Sequence, residues 1–366
     1  MMRVPPRWVR RVVFAPVVVA LGLVLLVLIP LGWVAFFALL ALIPGHMRIP
    51  RVLWLVFVYL VWDAALLLAL FGLWIGSGFG WKLRSPAFVR AHYRLGGLAL
   101  RALFWIFGSV LRLDIVTTGS DDPDRDVAHA AFVELFDQSR PIVVASRHGG
   151  PGDSFIVVHT MLNGVGRMPR IVLKDTLQWD PAIDVLLNRI PTRFIVPSGF
   201  GTSRAASGRA AEQQIAALAA GLGPEAALVI FPEGGQASPR RRRSRIARLR
   251  AAGRRDMARR AEALRHVMPP QPGGVHAALT GAPDADMVLI AHTGLERLAT
   301  MRDLWRELPM GKRITLRAWL IPRETIPADP EAQAEWLFAW FERIDRWIDE
   351  HGDHADRGAP DEHVAG

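Results

Sequence analysis

Residues 12–45 contain no charged side chain. An apolar run of that length restricts the chain more than any other feature, because it must be hidden from water. Four arginines precede or border it: Arg3, Arg7, Arg10 and Arg11. A secretory signal has an apolar core of roughly 7–15 residues and a small-residue cleavage site. This run is far longer and reaches the roughly 20 residues a membrane-spanning helix needs. It predicts one long tilted helix, or a helix broken near Pro30 and Gly32. A second run covers residues 52–75, interrupted only by Asp63, with Arg48 and Arg51 between the two. Asp63 is a candidate functional group by its place in a span. It is equally explained as tucked between the two helices, and that simpler reading is preferred. Basic residues remain on the cytoplasmic side of a membrane. Lys82, Arg84, Arg90, Arg94 and Arg101 follow the second run. Two spans therefore place the N-terminus and the C-terminal domain in the cytoplasm, whereas a split first run places them on opposite sides. Residues 1–81 are expected to be a membrane anchor with two transmembrane segments. In residues 82–112, arginines mix with Phe104, Trp105, Ile106 and Leu111. That pattern predicts an interfacial amphipathic segment, or an ordinary helix covering the soluble domain.

The chain has 366 residues, enough for a large core. It has no cysteine, which excludes disulfides, thiolate zinc sites and cysteine nucleophiles. Net charge is +10, and nearly all basic residues are arginine; Lys82, Lys174 and Lys312 are the lysines. The arginine and alanine skew points to a GC-rich bacterial genome. The charge favours anionic partners: nucleic acid, lipid headgroups or phosphorylated substrates.

From about residue 113 onward, short β-branched runs alternate with helical patterns. Strands are expected at 113–118, 141–146, 170–173, 193–197, 226–231, 286–291 and 313–321. Helices are expected at 124–137, 153–163, 203–220, 244–265 and 331–349. Such alternation predicts an α/β domain over residues 113–350, with a mainly parallel sheet flanked by helices. Ligands of such sheets bind at strand ends. The aromatic last helix, with Trp336, Phe338, Trp340, Phe341 and Trp347, is assigned to packing. Residues 351–366 are polar and expected to be a disordered tail.

Two strand ends carry candidate chemistry. In the first, an apolar strand runs into Arg147, His148, Gly149, Gly150, Pro151, Gly152 and Asp153. The glycines permit a tight turn, which can bring the carboxylate back to one imidazole nitrogen. Asp153 is read as opening a helix, a place where aspartate is a favoured cap. A carboxylate that fixes the tautomer makes histidine a competent general base near neutral pH. The alternative is a surface histidine beside a helix cap. The second strand end is Phe231-Pro232-Glu233-Gly234-Gly235. A carboxylate there can hold acceptor hydroxyls or orient a basic side chain, or it can be an exposed turn residue.

His148-x4-Asp153 followed by Phe231-Pro232-Glu233-Gly234 resembles the glycerolipid acyltransferase family, which includes lysophosphatidate acyltransferase. Lys174-Asp-Thr-Leu-Gln-Trp-Asp-Pro181 resembles that family's Lys-x-x-Leu-x-x-x-Pro segment. Residues 267–274 resemble its later proline segment, with Gln271 where many members have arginine. The likeness covers roughly residues 85–325. The two main motifs stand in the right order, about 80 residues apart, behind an anchor. Gly235 replaces the family's usual Thr or Ser. An arginine that members often carry just after the strand matching residues 194–197 is missing here; either Arg204 fills its role from a shifted position or the headgroup pocket differs.

The resemblance implies that His148, assisted by Asp153, removes the proton from an acceptor hydroxyl. The oxygen then attacks an acyl thioester directly. Catalysis is thus assigned to His148 and Asp153, and substrate binding to Glu233, Gly234, Gly235, Lys174 and Arg204. Amides near Gly149, Gly150 and Gly152, or near Gly234 and Gly235, are candidates for the developing oxyanion. No metal or cofactor is called for beyond acyl-CoA or acyl-carrier protein as co-substrate. No Gly-x-Ser-x-Gly elbow is present, which argues against a serine hydrolase. The expected acceptor is 1-acylglycerol-3-phosphate, giving phosphatidate. The alternatives are another lysophospholipid, glycerol 3-phosphate or a glycolipid. From a different class comes a non-catalytic basic membrane scaffold, which the intact His148–Asp153 pair opposes. The expected site of action is the bacterial plasma membrane.

Residues 240–260 hold eleven arginines and one acid, Asp256. The run lacks interleaved aromatics for base stacking, so it is assigned to an anionic membrane surface or acyl-donor phosphates and not to nucleic acid. A solvated basic face is the alternative.

Overall fold

The computed structural model describes residues 5–40, 48–137, 139–149, 152–195, 204–235, 238–295 and 311–352. It divides into two compact units: Met1–Leu111 with Leu173–Phe200, and Arg112–Val172 with Gly201–Gly366. The expected tail at 353–366 lies outside the described residues.

The first unit is built on apolar helices. A helix entering at Arg7 passes through a π turn at Arg10–Phe14 and continues as Ala15–Leu40, unbroken at Pro30. Arg48–Gly76 and Pro86–Leu111 follow. Among the described residues, Arg7–Leu26, Val52–Gly76 and Pro86–Leu111 are long and apolar enough to cross a membrane. These helices are compatible with a membrane protein. Gly22 lets the first two approach closely, since a Cβ there would lie 2.7 Å from that of Ala64.

Residues 173–200 belong to this unit and supply the short helix Pro181–Leu187. Its Ala182 is buried with Leu66, Leu67 and Leu70 of the second apolar helix. Polar ties reinforce the packing. Asp63 accepts from the Ala182 amide at 3.2 Å, and the Tyr59 hydroxyl donates to Asp180. Arg10 pairs with Asp184 at 3.0 Å, their side chains 4% and 1% exposed. Asp63 thus serves the start of a short helix from outside it.

The second unit carries strands β1 (Asp114–Thr118), β2 (Ile142–Ser146), β3 (Met168–Lys174), β5 (Ala226–Ile230), β6 (Asp286–Thr293) and β7 (Arg313–Ile321); β4 (Thr192–Ile195) falls in the first unit. All seven expected strands exist. In the second unit the order is β1-β7-β6-β2-β5-β3. Pairing is parallel except between β6 and β7. The sheet is therefore mixed and mostly parallel. β2, β5 and β6 are buried at every residue, as continuous apolar strands covered on both faces should be.

Helices close both faces. Asp329 caps Pro330–His351, accepting from the Ala332 amide at 2.8 Å. That helix buries Leu337, Phe338, Phe341, Ile344 and Ile348 in the core, with Trp336 and Trp340 packed against it. The expected helix 244–265 is two helices, Pro239–Ala251 and Arg255–Ala263. The break falls at Gly253, whose φ of +75° ends the first helix in a conformation that glycine tolerates best. Two short helices escaped the sequence pattern, Pro181–Leu187 and Pro272–Gly281. Both open with proline at the first turn, a start signal with too few residues behind it to show periodicity.

Candidate active site

The C-terminal ends of three adjacent parallel strands, β5, β2 and β6, converge on one site. β2 delivers His148, β5 delivers the Phe231–Gly235 turn, and β6 delivers His292.

His148 Nδ1 lies 2.8 Å from Asp153 Oδ2 and 3.0 Å from Oδ1. Both residues are buried, His148 at 9% exposure and Asp153 at 1%. An Nδ1 proton donated to the carboxylate leaves Nε2 as the acceptor, the tautomer a general base requires. Burial works to raise the Asp153 carboxyl. Hydrogen bonding and charge from His148 and His292 outweigh it, and hold the group well below the usual carboxylate range. Asp153 is therefore ionised at neutral pH.

Asp153 is not the helix cap expected from its position. It is the first residue of the helix Asp153–His159, and the capping position is Gly152, left-handed at φ +96°. The carboxylate accepts the backbone amide of Ser154 at 2.6 Å. Because glycine makes the turn, the aspartate side chain can reach back to His148.

Glu233 is 1% exposed, and its Oε1 accepts the backbone N–H of His148 at 3.1 Å. Burial pushes its carboxyl up to about 7, against the opposing pull of the Arg147 charge and the His148 and Met268 amides. Its geometry makes it a brace under the backbone of His148. The Glu233 carbonyl is held in turn by the Arg245 guanidinium, which also donates to Pro269 O at 2.6 Å. Gly234 and Gly235 have φ of +59° and +139°. A Cβ on Gly234 would fall 2.3 Å from Gln271 Nε2, and one on Gly235 2.6 Å from Arg241 Nη1. The Gly234 amide donates to Phe231 O at 2.8 Å, within its own turn. The rings of His148 and Phe231 lie 4.9 Å apart, tilted by 38°.

The structure thus brings together His148, Asp153, Glu233, Gly149, Gly152, Gly234 and Gly235. Gly150 and the side chains of Lys174 and Arg204 lie outside the described residues. Lys174 ends β3 and belongs to the first unit, whereas Arg204 opens the helix Arg204–Ala219 of the second. Three site residues escaped the sequence reading: Arg147, Arg245 and His292. Each is a charged or polar residue that the fold buries, at 2%, 7% and 2% exposure. A polar residue at the end of an all-apolar run was the available signal for Arg147 and His292. Among the described residues, no group of three or more His, Cys, Asp or Glu side chains is placed to hold a metal ion.

Residues 129–291 match the model of the Acyltransferase family. That stretch is similar to the Acyltransferase family. The family is that of lysophospholipid and glycerolipid acyltransferases. The matched stretch contains His148, Asp153 and Glu233, the residues assembled at the ends of β2 and β5. No curated protein matches the chain.

Proposed function

We propose that this acyltransferase moves a fatty acyl chain from acyl-CoA or acyl-carrier protein to a lysophospholipid hydroxyl, with 1-acylglycerol-3-phosphate as acceptor and phosphatidate as product. The observation that carries the reading is the buried His148–Asp153 pair, with Nδ1 facing the carboxylate. His148 Nε2 takes the proton of the acceptor hydroxyl. The oxygen attacks the thioester carbonyl, and negative charge grows on the carbonyl oxygen. Collapse breaks the carbon–sulfur bond, and the thiolate leaves with the proton that His148 returns. Asp153 stabilises the imidazolium between the two transfers. Amides at the Gly149–Gly152 turn, next to His148 in the chain, are the candidate donors to the oxyanion.

The apolar helices support a membrane enzyme acting on a lipid acceptor. We place the catalytic unit on the cytoplasmic side of a bacterial plasma membrane, with two spans. In Pro86–Leu111, residues Arg90, Arg94, Leu98, Arg101 and Trp105 are exposed, while His92, Tyr93, Gly96, Gly97 and Leu100 are buried. A spanning helix would hold those guanidiniums against hydrocarbon, at about 2.5–3.5 kcal/mol for each one near its centre. Lying in the headgroup layer, the same face satisfies both its arginines and its tryptophan. The exposed Arg240, Arg241 and Arg243 supply a second contact with anionic headgroups, at about 1 kcal/mol each.

The test is thioester consumption by the purified full chain, with palmitoyl-CoA and a panel of lysolipids and glycerol 3-phosphate. Release of thiol only when an acceptor is present, with lysophosphatidate preferred, supports the reading. Equal release without acceptor favours a hydrolase, and no release under any condition favours a scaffold. Reversing the charge of Arg240, Arg241 and Arg243 should lower turnover on anionic vesicles more than in neutral detergent.

A further inference from the structure

Asp153 has an imidazole on two sides. Its Oδ2 faces His148 Nδ1 at 2.8 Å and His292 Nε2 at 3.7 Å. The second distance is too long for a hydrogen bond but well within reach of an electrostatic contact. The other oxygen accepts from Ser154 N at 2.6 Å and Ser154 Oγ at 3.3 Å.

The sheet explains why the two histidines flank one carboxylate. β2 and β6 are parallel neighbours with Ser146 opposite Ile290, and the Arg147 amide continues the ladder to Ile290 O at 3.0 Å. Two residues further along each chain stand His148 and His292, and residues two apart point to the same face. Arg147 fastens the His292 backbone, donating to its carbonyl at 2.5 Å. Gly149 makes the room. A Cβ there would lie 3.0 Å from His292 Cε1 and 2.8 Å from Arg147 Nη2.

A core histidine that merely filled space would be replaceable by leucine. The five residues before it in β6 are of that kind: Met287, Val288, Leu289, Ile290 and Ala291 are all fully buried. His292 instead sets a ring nitrogen beside the charge on which the general base depends. It lies one position beyond the stretch that matches the family.

We propose that His292 is a positioning residue for acyl transfer, supporting the same Asp153 oxygen that faces His148. This rests on the acyl-transfer reading. During turnover His148 gains and returns a proton, so the pull on the carboxylate rises and falls. With its proton on Nε2, His292 gives Oδ2 a second electrostatic contact through that cycle, which keeps His148 Nε2 aimed at the acceptor.

Two substitutions test this in the full-length protein in detergent. His292→Leu keeps the bulk and removes the ring nitrogens; His292→Gln keeps an N–H near the place of Nε2. With palmitoyl-CoA and lysophosphatidate, His292→Leu should lower kcat about 10-fold or more, the scale of a supporting group around a fixed catalytic ligand. KM for either substrate should be unchanged, and His292→Gln should restore most of the loss. In an Asp153→Asn background His292→Leu should cost nothing further, because its effect passes through that carboxylate. A wild-type kcat in His292→Leu, an equal loss with glutamine, or the same loss in the Asp153→Asn background overturns the proposal. A readout free of turnover separates this from the reaction assigned to the enzyme. The downfield proton resonance of His148 Nδ1–H should move in His292→Leu and stay in His292→Gln. An unmoved resonance in His292→Leu overturns the proposal whatever the substrates are. Thiol release that is the same in wild type and His148→Ala would instead overturn the acyl-transfer reading.

Discussion

The backbone N–H of His148 donates to Oε1 of Glu233 at 3.1 Å, across a separation of 85 residues. The two motifs that resemble those of the acyltransferase family thus meet at one peptide group. Neither side chain needs a substrate to bring them together. β2 and β5 are adjacent and parallel, with Ala145 opposite Ile230, so their C-terminal ends emerge side by side.

Glu233→Ala should act on kcat more than on KM, because it leaves the His148 and Met268 amides without their acceptor. Each unsatisfied buried donor costs about 1–3 kcal/mol. Glu233→Gln keeps an acceptor oxygen and should be much milder. Steady-state kinetics of both variants decides between this brace and a part in holding the acceptor, which would appear in KM.

The same residue sets a pH dependence of stability. Its carboxyl is raised from 4.5 to about 7 in the folded state. Between those values the folded protein binds the proton and the unfolded chain does not. Stability from this group is therefore full below about pH 4.5 and declines as pH rises toward 7, by roughly 3 kcal/mol in total. The Tm of Glu233→Gln should lack this decline. Parallel Tm curves for wild type and Glu233→Gln from pH 5 to 8 would contradict it.

His148→Ala should lower turnover by about 10²–10⁴-fold, the usual worth of general-base assistance, with the fold intact. Asp153→Asn keeps the shape and removes the charge opposite the imidazolium, so it should also cost orders of magnitude. The double variant should be scarcely worse than either single one, since the pair acts as a unit. Single-turnover thiol release is the measurement. A folded and fully active His148→Ala protein would end the mechanism.

The Arg10–Asp184 pair should matter for stability and not for chemistry. Removing one partner of a buried pair leaves the other charge uncompensated, at about 3–5 kcal/mol. Arg10→Leu and Asp184→Leu should each lower the melting temperature in detergent. The double Leu variant should recover most of the loss. Additive losses would show that the two groups do not act on each other.

The cysteine-free chain allows a clean test of topology. Single cysteines at the exposed positions Lys82 and Asp122 bracket the helix Pro86–Leu111. With that helix in the interface, an impermeant maleimide should label neither in intact cells and both after lysis. Labelling of one alone in intact cells would make the helix a third span.

The sequence by itself determined the strands, the motif residues and the long apolar helices. β2, β5 and β6 are legible because a strand buried on both faces must be apolar throughout, and His148, Asp153 and Glu233 because glycine turns end those runs. A local pattern carries such information whole. What only the tertiary structure decided depends on which residues distant in sequence become neighbours. Residues 173–200 read as part of the soluble domain, yet Ala182 packs with Leu66, Leu67 and Leu70. Asp63 read as lying between two helices, and it meets the amide of Ala182. Glu233 read as a residue facing substrate, and its carboxylate holds the His148 backbone. His292 gave no motif at all. Its place beside Asp153 follows from the register of β6 on β2, and register is set by the packing of the whole sheet, which no single segment encodes.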